Sequence, residues 1–452
     1  MRRTHTKVIG RTFAAAGVVA VAMTSGVDAT TLLDIGFGTS LGGSTPRSTA
    51  MGSTGVALWQ GSDALVFNPA TMVSLEPGVH LDVALSMSQV NEDRLVPIFD
   101  SFQGFLDEGI LAINRSTYAS GQGGVVWRLP IGMPMSVGAG VFDRYDFDYD
   151  FFQEVRSEGA PDSLIRNNTL EVEGRLRSIS AGYGAEIFRN ARLGFSLHRY
   201  FGTVNGLRGV ETPATTIPDT ITTLEQELSG WGWSVGGHYR LNERVDFAAS
   251  FDGPFDVDGA TNSGTVISRS AGTTETTASG QRLVSYPAAL RLGAAYRPRN
   301  VLRTVFEVDI TKRYWKGTDE ANGILGQPVP LRDTWDFGLG AEHVFYNEIP
   351  LRFGFRYLEN YADGESERSI FSVGTAYNIA NTMFSVITTN SAGLMAYTPS
   401  RRMARCRPRC PTDSAPFSFC TPDRNGRASW NWLQGTMRPR VCCGGSGSPS
   451  RA

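Results

Sequence analysis

The chain of 452 residues carries a formal net charge of −2, a pI near 6.3, 10% aromatic residues and 51 glycines. So neutral a balance supplies no electrostatic footprint for nucleic acid, and no stretch beyond the N-terminus reaches the roughly 20 apolar residues of a membrane helix. Any passage through a membrane must therefore be made by strands.

Residues 1–29 read as a secretory signal: Arg2, Arg3, Lys7 and Arg11 precede an apolar run from Phe13 to Met23, and Val27-Asp28-Ala29 offers small residues for cleavage. Residues 30–77 form a second unit. Its small residues Gly52, Ser53, Gly55, Ala57, Gly61, Ser62 and Ala64 let backbone pack on backbone, and Pro69 stops any helix running into Asn68-Pro69-Ala70. Such a segment suits the lumen of something larger, as a plug.

From 78 to 388 the hydrophobic period is two, the signal of strands with one apolar and one polar face. Val79, Leu81, Val83, Leu85 and Met87 alternate with His80, Asp82, Ala84, Ser86 and Ser88. Strands are predicted near 78–88, 122–129, 134–152, 169–187, 190–206, 224–240, 243–255, 283–297, 301–315, 333–346, 350–361, 368–378 and 381–388. The connections between them alternate in length: long at 89–121, 153–168, 207–223, 256–282, 316–332 and 362–367, short at the other junctions, as at Phe188-Arg189-Asn190 and Leu241-Asn242-Glu243. Outer-membrane barrels sort their connections this way, with short periplasmic turns and long external loops, whereas a β-sandwich has no reason to. The fold class predicted is all-β: a transmembrane antiparallel β-barrel of the Gram-negative outer membrane with the N-terminal plug in its lumen. Single-chain bacterial barrels have an even strand number, so the thirteen legible strands imply about 14, with one closing strand unread. Inside the first long connection, Leu95, Ile98, Phe99, Phe102, Phe105 and Leu106 have helical spacing and predict a loop helix.

In the third strand Val137, Ala139, Val141, Tyr145, Phe147, Tyr149 and Phe151 share one predicted face, and Ser136, Gly138, Gly140, Phe142, Arg144 and Asp146 the other. Gly138 and Gly140 weaken pairing and permit a bend or bulge, or they make room for the plug. Arg144, Arg291, Arg352 and Arg356 would each cost about 2–4 kcal/mol facing lipid at the midplane, so they face the lumen, to meet a ligand carboxylate or acids such as Glu307 and Asp309.

Beyond about 388 the alternation stops. Residues 398–452 hold ten Arg, no Lys, seven Pro, all five cysteines of the chain and only Asp413 and Asp423 as acids. This tail, 389–452, reads as the translation of a shifted reading frame in place of a fourteenth strand, or as disordered. Cys406 and Cys410, with Cys442-Cys443, make a poor metal set without histidine nearby, and no metal or other cofactor is expected.

Catalysis has little to work with. Beyond the signal only His80, His198, His238 and His343 are available as bases, and no Gly-x-Ser-x-Gly elbow occurs. His198 and His238 read as hydrogen-bonding lumen residues, and no catalytic residue is assigned.

The segment Gly55-Val56-Ala57, Asp63-Ala64 and Phe67-Asn68-Pro69-Ala70, with the later Tyr286-Pro287-Ala288-Ala289-Leu290-Arg291-Leu292-Gly293 and Asp333-Thr334-Trp335-Asp336-Phe337-Gly338-Leu339-Gly340, resembles the FadL-type outer-membrane transporters of long-chain fatty acids and other hydrophobic molecules. The resemblance covers roughly residues 45–385, and PorV-like barrels share the plug pattern. It implies a monomer that contacts outer-membrane lipid and passes hydrophobic small molecules inward by diffusion. On this resemblance Phe67, Asn68, Pro69 and Ala70 form the plug gate. Gly138, Gly140, Phe142 and Arg144 mark a wall kink and ligand path, and His198, Arg291 and Arg356 supply lumen polar contacts. The alternative is a PorV-like barrel that docks secreted proteins at the cell surface.

Overall fold

A computed structural model describes residues 36–41, 45–99, 105–156, 164–213, 218–269, 272–299, 303–318, 331–345, 349–362, 367–379, 382–394, 418–422 and 428–432. The expected signal segment lies outside the described residues, as does most of the tail.

The N-terminal segment contains β1 (Thr39–Ser40), α1 (Pro46–Ala50), α2 (Ala64–Phe67) and a 3-10 turn (Pro69–Ser74). There follow β2 (Gly78–Phe99), β3 (Phe105–Arg128), β4 (Met135–Asp146), β5 (Tyr149–Arg156), β6 (Leu164–Phe188), β7 (Ala191–Glu211), β8 (Asp219–Arg240) and β9 (Val245–Asp252). The set continues with β10 (Phe255–Arg269), β11 (Gly272–Tyr286), β12 (Ala289–Tyr296), β13 (Thr304–Arg313), β14 (Thr334–Phe345), β15 (Ile349–Leu358), β16 (Glu367–Ile379) and β17 (Thr382–Leu394). β2 to β17 form one sheet in which β17 stands beside β2, so the sheet closes on itself.

Three staves are each interrupted by two residues: β4 and β5 both pair with β6, β9 and β10 both pair with β8, and β11 and β12 pair with β10 and β9. Proline accounts for two of the interruptions, since Pro254 and Pro287 bring no N–H to the ladder. The sixteen segments therefore make thirteen staves among the described residues, in place of the 14 expected. Staves that alternate in direction and total thirteen bring the first and last together running the same way. The last stave runs past the expected end of the barrel at 388, since β17 stays paired with β16 as far as Glu367↔Leu394; among the described residues the tail otherwise holds only β18 (Ser418–Pro422) and β19 (Ala428–Trp432), a separate two-stranded sheet.

Outward-facing positions carry an apolar band. Leu81, Trp127, Ile179, Leu193, Trp231, Phe247, Leu292, Phe306, Trp335, Phe353 and Phe371 are all exposed, while inward neighbours such as Ser178, Ser196, Ser234, Asp246, Arg352 and Ser372 are buried. This inversion of a soluble protein's pattern places the apolar phase outside the sheet and the polar one within it.

The long connections depart from expectation. Segment 89–121 is strand almost throughout, with β2 and β3 pairing out to Phe99↔Phe105. The predicted helix is thus replaced by a hairpin arm; Pro97 within its run and Gly104 and Gly109 after it oppose a helix. Segment 256–282 is likewise the β10–β11 hairpin, paired to Arg269↔Gly272. The barrel therefore has a turn end, with short connections, and an arm end, where the staves rise well past the apolar band.

Candidate functional site: an aromatic chamber above a buried N-terminal segment

The N-terminal segment touches inward-facing groups around the whole circumference. Ser62 N–H donates to Asp82 on β2 (2.6 Å), Ser136 Oγ on β4 donates to the Met72 carbonyl (3.0 Å), Ser250 Oγ on β9 donates to the Phe67 carbonyl (2.6 Å), and Ser372 Oγ on β16 donates to the Ala50 carbonyl (3.1 Å). Two carboxylates on β13 grip its backbone. Glu307 Oε1 accepts from the N–H of Ala57 and Leu58 at 2.9 and 2.8 Å, and Oε2 from Gln60 Nε2 at 2.8 Å; Asp309 Oδ2 accepts from the N–H of Gly55 and Val56 at 2.8 and 3.0 Å. The acids expected to meet arginine hold main-chain N–H groups instead.

Asn68 caps the 3-10 turn, its Oδ1 accepting from Ala70 N–H (3.0 Å), with Pro69 in the first-turn position that tolerates it. Its Nδ2 donates to the carbonyls of Val56 (2.8 Å) and Gly237 (3.1 Å). Any Cβ at Gly236 would overlap Asn68 Oδ1, so glycine on β8 is what lets this side chain reach the wall. Phe67, Asn68, Pro69 and Ala70 thus lie together near the turn end of β7 and β8.

Above this floor is a small cavity of about 60 Å³ with a mixed charged and apolar lining that includes Phe67, Arg144, Asp252, Arg291, Arg313 and Arg356. Arg291 donates to Asp252 at 2.7 Å, Arg144 stands 3.6 Å from the same carboxylate oxygen, and Arg313 pairs with Asp336. All four predicted lumen arginines, Arg144, Arg291, Arg352 and Arg356, are buried within the barrel. His198, also buried, lies between Ser180 Oγ (2.8 Å to Nδ1) and Ser234 Oγ (3.1 Å to Nε2).

Toward the arm end the lumen is filled by a cluster that includes Phe37, Tyr145, Phe147, Tyr149, Tyr200, Phe255, Tyr286, Trp315 and Tyr361. Tyr200 stacks on Phe255 with centroids 4.0 Å apart, and Phe255 on Tyr286 at 4.9 Å. Phe37, fully buried, stands edge-on to Trp315 (5.2 Å), Tyr361 (5.6 Å) and Tyr286 (6.3 Å), the favoured geometry for aromatic quadrupoles. Tyr286 Oη donates to the Phe37 carbonyl at 3.0 Å. Gly38 follows at φ +78°, where a Cβ would press on the Phe147 ring at 2.9 Å. The N-terminal segment therefore places one of its own phenyl rings in an aromatic cage formed by the barrel.

The third stave breaks where β4 meets β5. Gly138 and Gly140, the predicted kink, lie in regular ladder with both neighbours (Gly138↔Val126 and Gly182, Gly140↔Gly124 and Ser180). The irregularity is a bulge between Asp143 and Tyr145. One extra residue there changes which side chains point inward, so Tyr145, Phe147, Tyr149 and Phe151 join the lumen cluster rather than the outer face shared by Val137 and Val141. β3 pairs with β4 only as far as Gly123↔Val141 and with β5 only at Ile113↔Phe152 and Ala112↔Gln153. Between those points the two staves share no ladder. Phe142 and Arg144 both sit at this interruption with inward, buried side chains.

Sequence reasoning did not single out Phe37, Trp315 or Tyr361, or the inward aromatics beyond the bulge. The one local signal was Gly36-Phe37-Gly38, a bulky ring between two flexible residues.

An apolar outer belt, a polar lumen occupied by the N-terminal segment and an aromatic chamber define an outer-membrane β-barrel of the channel class. Residues 39–386 match the family described as outer membrane protein transport protein (OMPP1/FadL/TodX), and the chain belongs to that family of transport proteins. Its fold is similar to the CymD monoaromatic hydrocarbon channel (17% identity, 77% of this chain and 93% of that one, TM-score 0.54) and the Pseudomonas putida toluene transporter TodX (17%, 77% and 91%, 0.57). It is also similar to a Pseudomonas aeruginosa FadL homologue (11%, 78% and 90%, 0.56). A search of curated proteins found no match.

Proposed function

We propose that this protein is a monomeric passive channel that brings small hydrophobic molecules, compact aromatic ones first, across the outer membrane. The observation that carries this reading is the burial of the Phe37 ring in the cage of Tyr286, Trp315 and Tyr361. A site that holds a phenyl group edge-on to three aromatic rings suits a free benzene ring of the same size, and the channels and transporters similar in fold are named for monoaromatic hydrocarbons and toluene. Long-chain fatty acids remain a second class for the same chamber, with Arg144, Arg291 and Arg356 in the cavity beneath it to meet a carboxylate.

In this account the arms capture the ligand from outside, and an incoming ring displaces Phe37. Release of Phe37 pulls on β1, which pairs with β4 at Thr39↔Asp146 and Ser40↔Tyr145, beside the interruption in the wall. The ligand then leaves sideways between β3 and the β4–β5 stave, into the outer-membrane lipid. Asn68-Pro69-Ala70, tied to Val56 and Gly237, acts as the gate at the turn end and keeps water and ions from following. Residues 30–77 thus act as a plug. No energy source is required, since partitioning drives the movement.

The test is extraction of the full chain in mild detergent and mass spectrometry of co-purifying lipophilic molecules. A stoichiometric aromatic compound or fatty acid supports the channel and names its class. An empty lumen with a co-purifying exported protein refutes it in favour of a docking barrel.

A further inference from the structure

We propose that Arg175 is the latch that keeps the side wall from closing between β3 and the β4–β5 stave. It is a positioning residue, and its effect on uptake rests on the wall route above.

The interrupted region is shaped as if it ought to close. Residues 114–122 of β3 face residues 142–151 of the neighbouring stave, and the ladder resumes at Ile113↔Phe152 only one residue out of step with Gly123↔Val141. One bulge would let the two edges zip together along their length. Two features oppose this. On the inner side β1 has taken the edge of β4 that β3 would otherwise use, because the opposite edge of Tyr145 and Asp146 is committed to Leu176 and Arg175 of β6. That hold ends whenever β1 withdraws.

The other feature is the Arg175 guanidinium, which bridges the interruption. Its Nη1 donates to the Ala119 carbonyl of β3 at 2.5 Å, one of the acceptors in the stretch of β3 that has no ladder partner on this side. Its Nη2 donates to Asp148 Oδ2 at 2.5 Å and its Nε to Asp146 Oδ1 at 3.4 Å. The two carboxylates are themselves built into the bend: Asp148 Oδ1 accepts from Gly174 N–H (2.8 Å), Asp146 Oδ1 from Asp148 N–H (3.2 Å), and Phe147 N–H donates to the Gly174 carbonyl (3.0 Å). Gly174 stands at φ +147°, and a Cβ there would overlap the Thr203 carbonyl, so the turn in β6 that presents Arg175 requires glycine. Side-chain exposure of Arg175, Asp146 and Asp148 is only 10–12%, so water does not compete away the ion pairs as it would at a free surface, while the bond to the carbonyl of exposed Ala119 faces solvent. A rigid planar fork can hold a carbonyl and two carboxylates at fixed separation, which a single ammonium cannot.

A latch differs from a merely stabilising residue because local protection rises when its side chain is lost. Arg175→Met keeps the length and removes every donor. Hydrogen–deuterium exchange of the full chain in detergent reads the 114–122 and 142–151 amides, and uptake of radiolabelled toluene by producing cells reads transport. With β1 still paired to Tyr145 and Asp146, Arg175→Met is expected to slow exchange in 114–118 and 147–151, the parts of the two edges that β1 leaves uncovered, by about tenfold or more as they pair, and to reduce toluene uptake. Arg175→Lys should show a smaller change in the same direction, and it serves as the measurement if Arg175→Met does not fold. Exchange in 114–118 that is unchanged or faster in the variant overturns the latch. Slowed exchange with undiminished uptake supports the latch and refutes the wall as the route.

Discussion

Replacing Glu307 by alanine should loosen residues 54–60 from the wall while leaving the barrel closed. The carboxylate satisfies three buried donors, the N–H groups of Ala57 and Leu58 and the Gln60 amide, all at 2.8–2.9 Å. A buried donor left without a partner costs roughly 1–3 kcal/mol, so three such losses amount to at least about 3 kcal/mol of local docking energy even where water recovers part. Since about 1.4 kcal/mol is tenfold in an equilibrium constant, opening of residues 54–60 should become at least about a hundredfold more frequent. The strand ladder of Glu307 with Gly340 is main-chain and is untouched. Hydrogen exchange of 54–60 by mass spectrometry is the assay, with resistance of the barrel to unheated detergent as the control and ion conductance in planar bilayers as the functional readout. Glu307→Gln, which keeps an acceptor, should fall between. Exchange of 54–60 within twofold of the parent in Glu307→Ala would refute the reasoning, because the carboxylate would then add nothing to the hold on Ala57, Leu58 and Gln60.

Other perturbations follow from the same geometry. Asn68→Ala removes bonds to Val56, Gly237 and Ala70, and should raise single-channel leak with little change in barrel stability. Arg291→Met leaves buried Asp252 with Arg144 at 3.6 Å as its remaining charge partner; a loss of about 3–5 kcal/mol is expected on refolding into liposomes in urea. Leu193→Arg places a charge on the outward apolar band and should cost about 2–4 kcal/mol in the same assay if the position lies near the midplane, whereas an unaffected refolding midpoint would move the lipid boundary.

The thirteen staves and the parity of their connections were legible because each stave through the apolar band has one lipid face and one lumen face, so every second residue is apolar. The arms were not, because they lack that asymmetry: from Gly272 to Gln281 successive side chains of β11 are exposed on both faces, and a strand without a buried side carries no period. The helical spacing read at 95–111 was coincidental, as strand pairing from Leu95↔Ile110 to Phe99↔Phe105 shows. Lumen placement of Arg144, Arg291, Arg352 and Arg356 followed directly from the cost of charge in lipid. The side on which Tyr145 and Phe147 fall did not follow, because a single inserted residue after Asp143 reverses the alternation and leaves no compositional trace. The aromatic chamber was equally hidden, since Phe37 meets Tyr286, Trp315 and Tyr361 only when the barrel closes.

The most direct test of the central claim is the initial rate of uptake of radiolabelled toluene, with oleate in parallel, by cells producing the full chain and by cells producing Trp315→Ala. Faster uptake with the full chain than without it, reduced when the cage loses its tryptophan, is the predicted result. Uptake no faster with the full chain than without it, for both compounds, would contradict the channel.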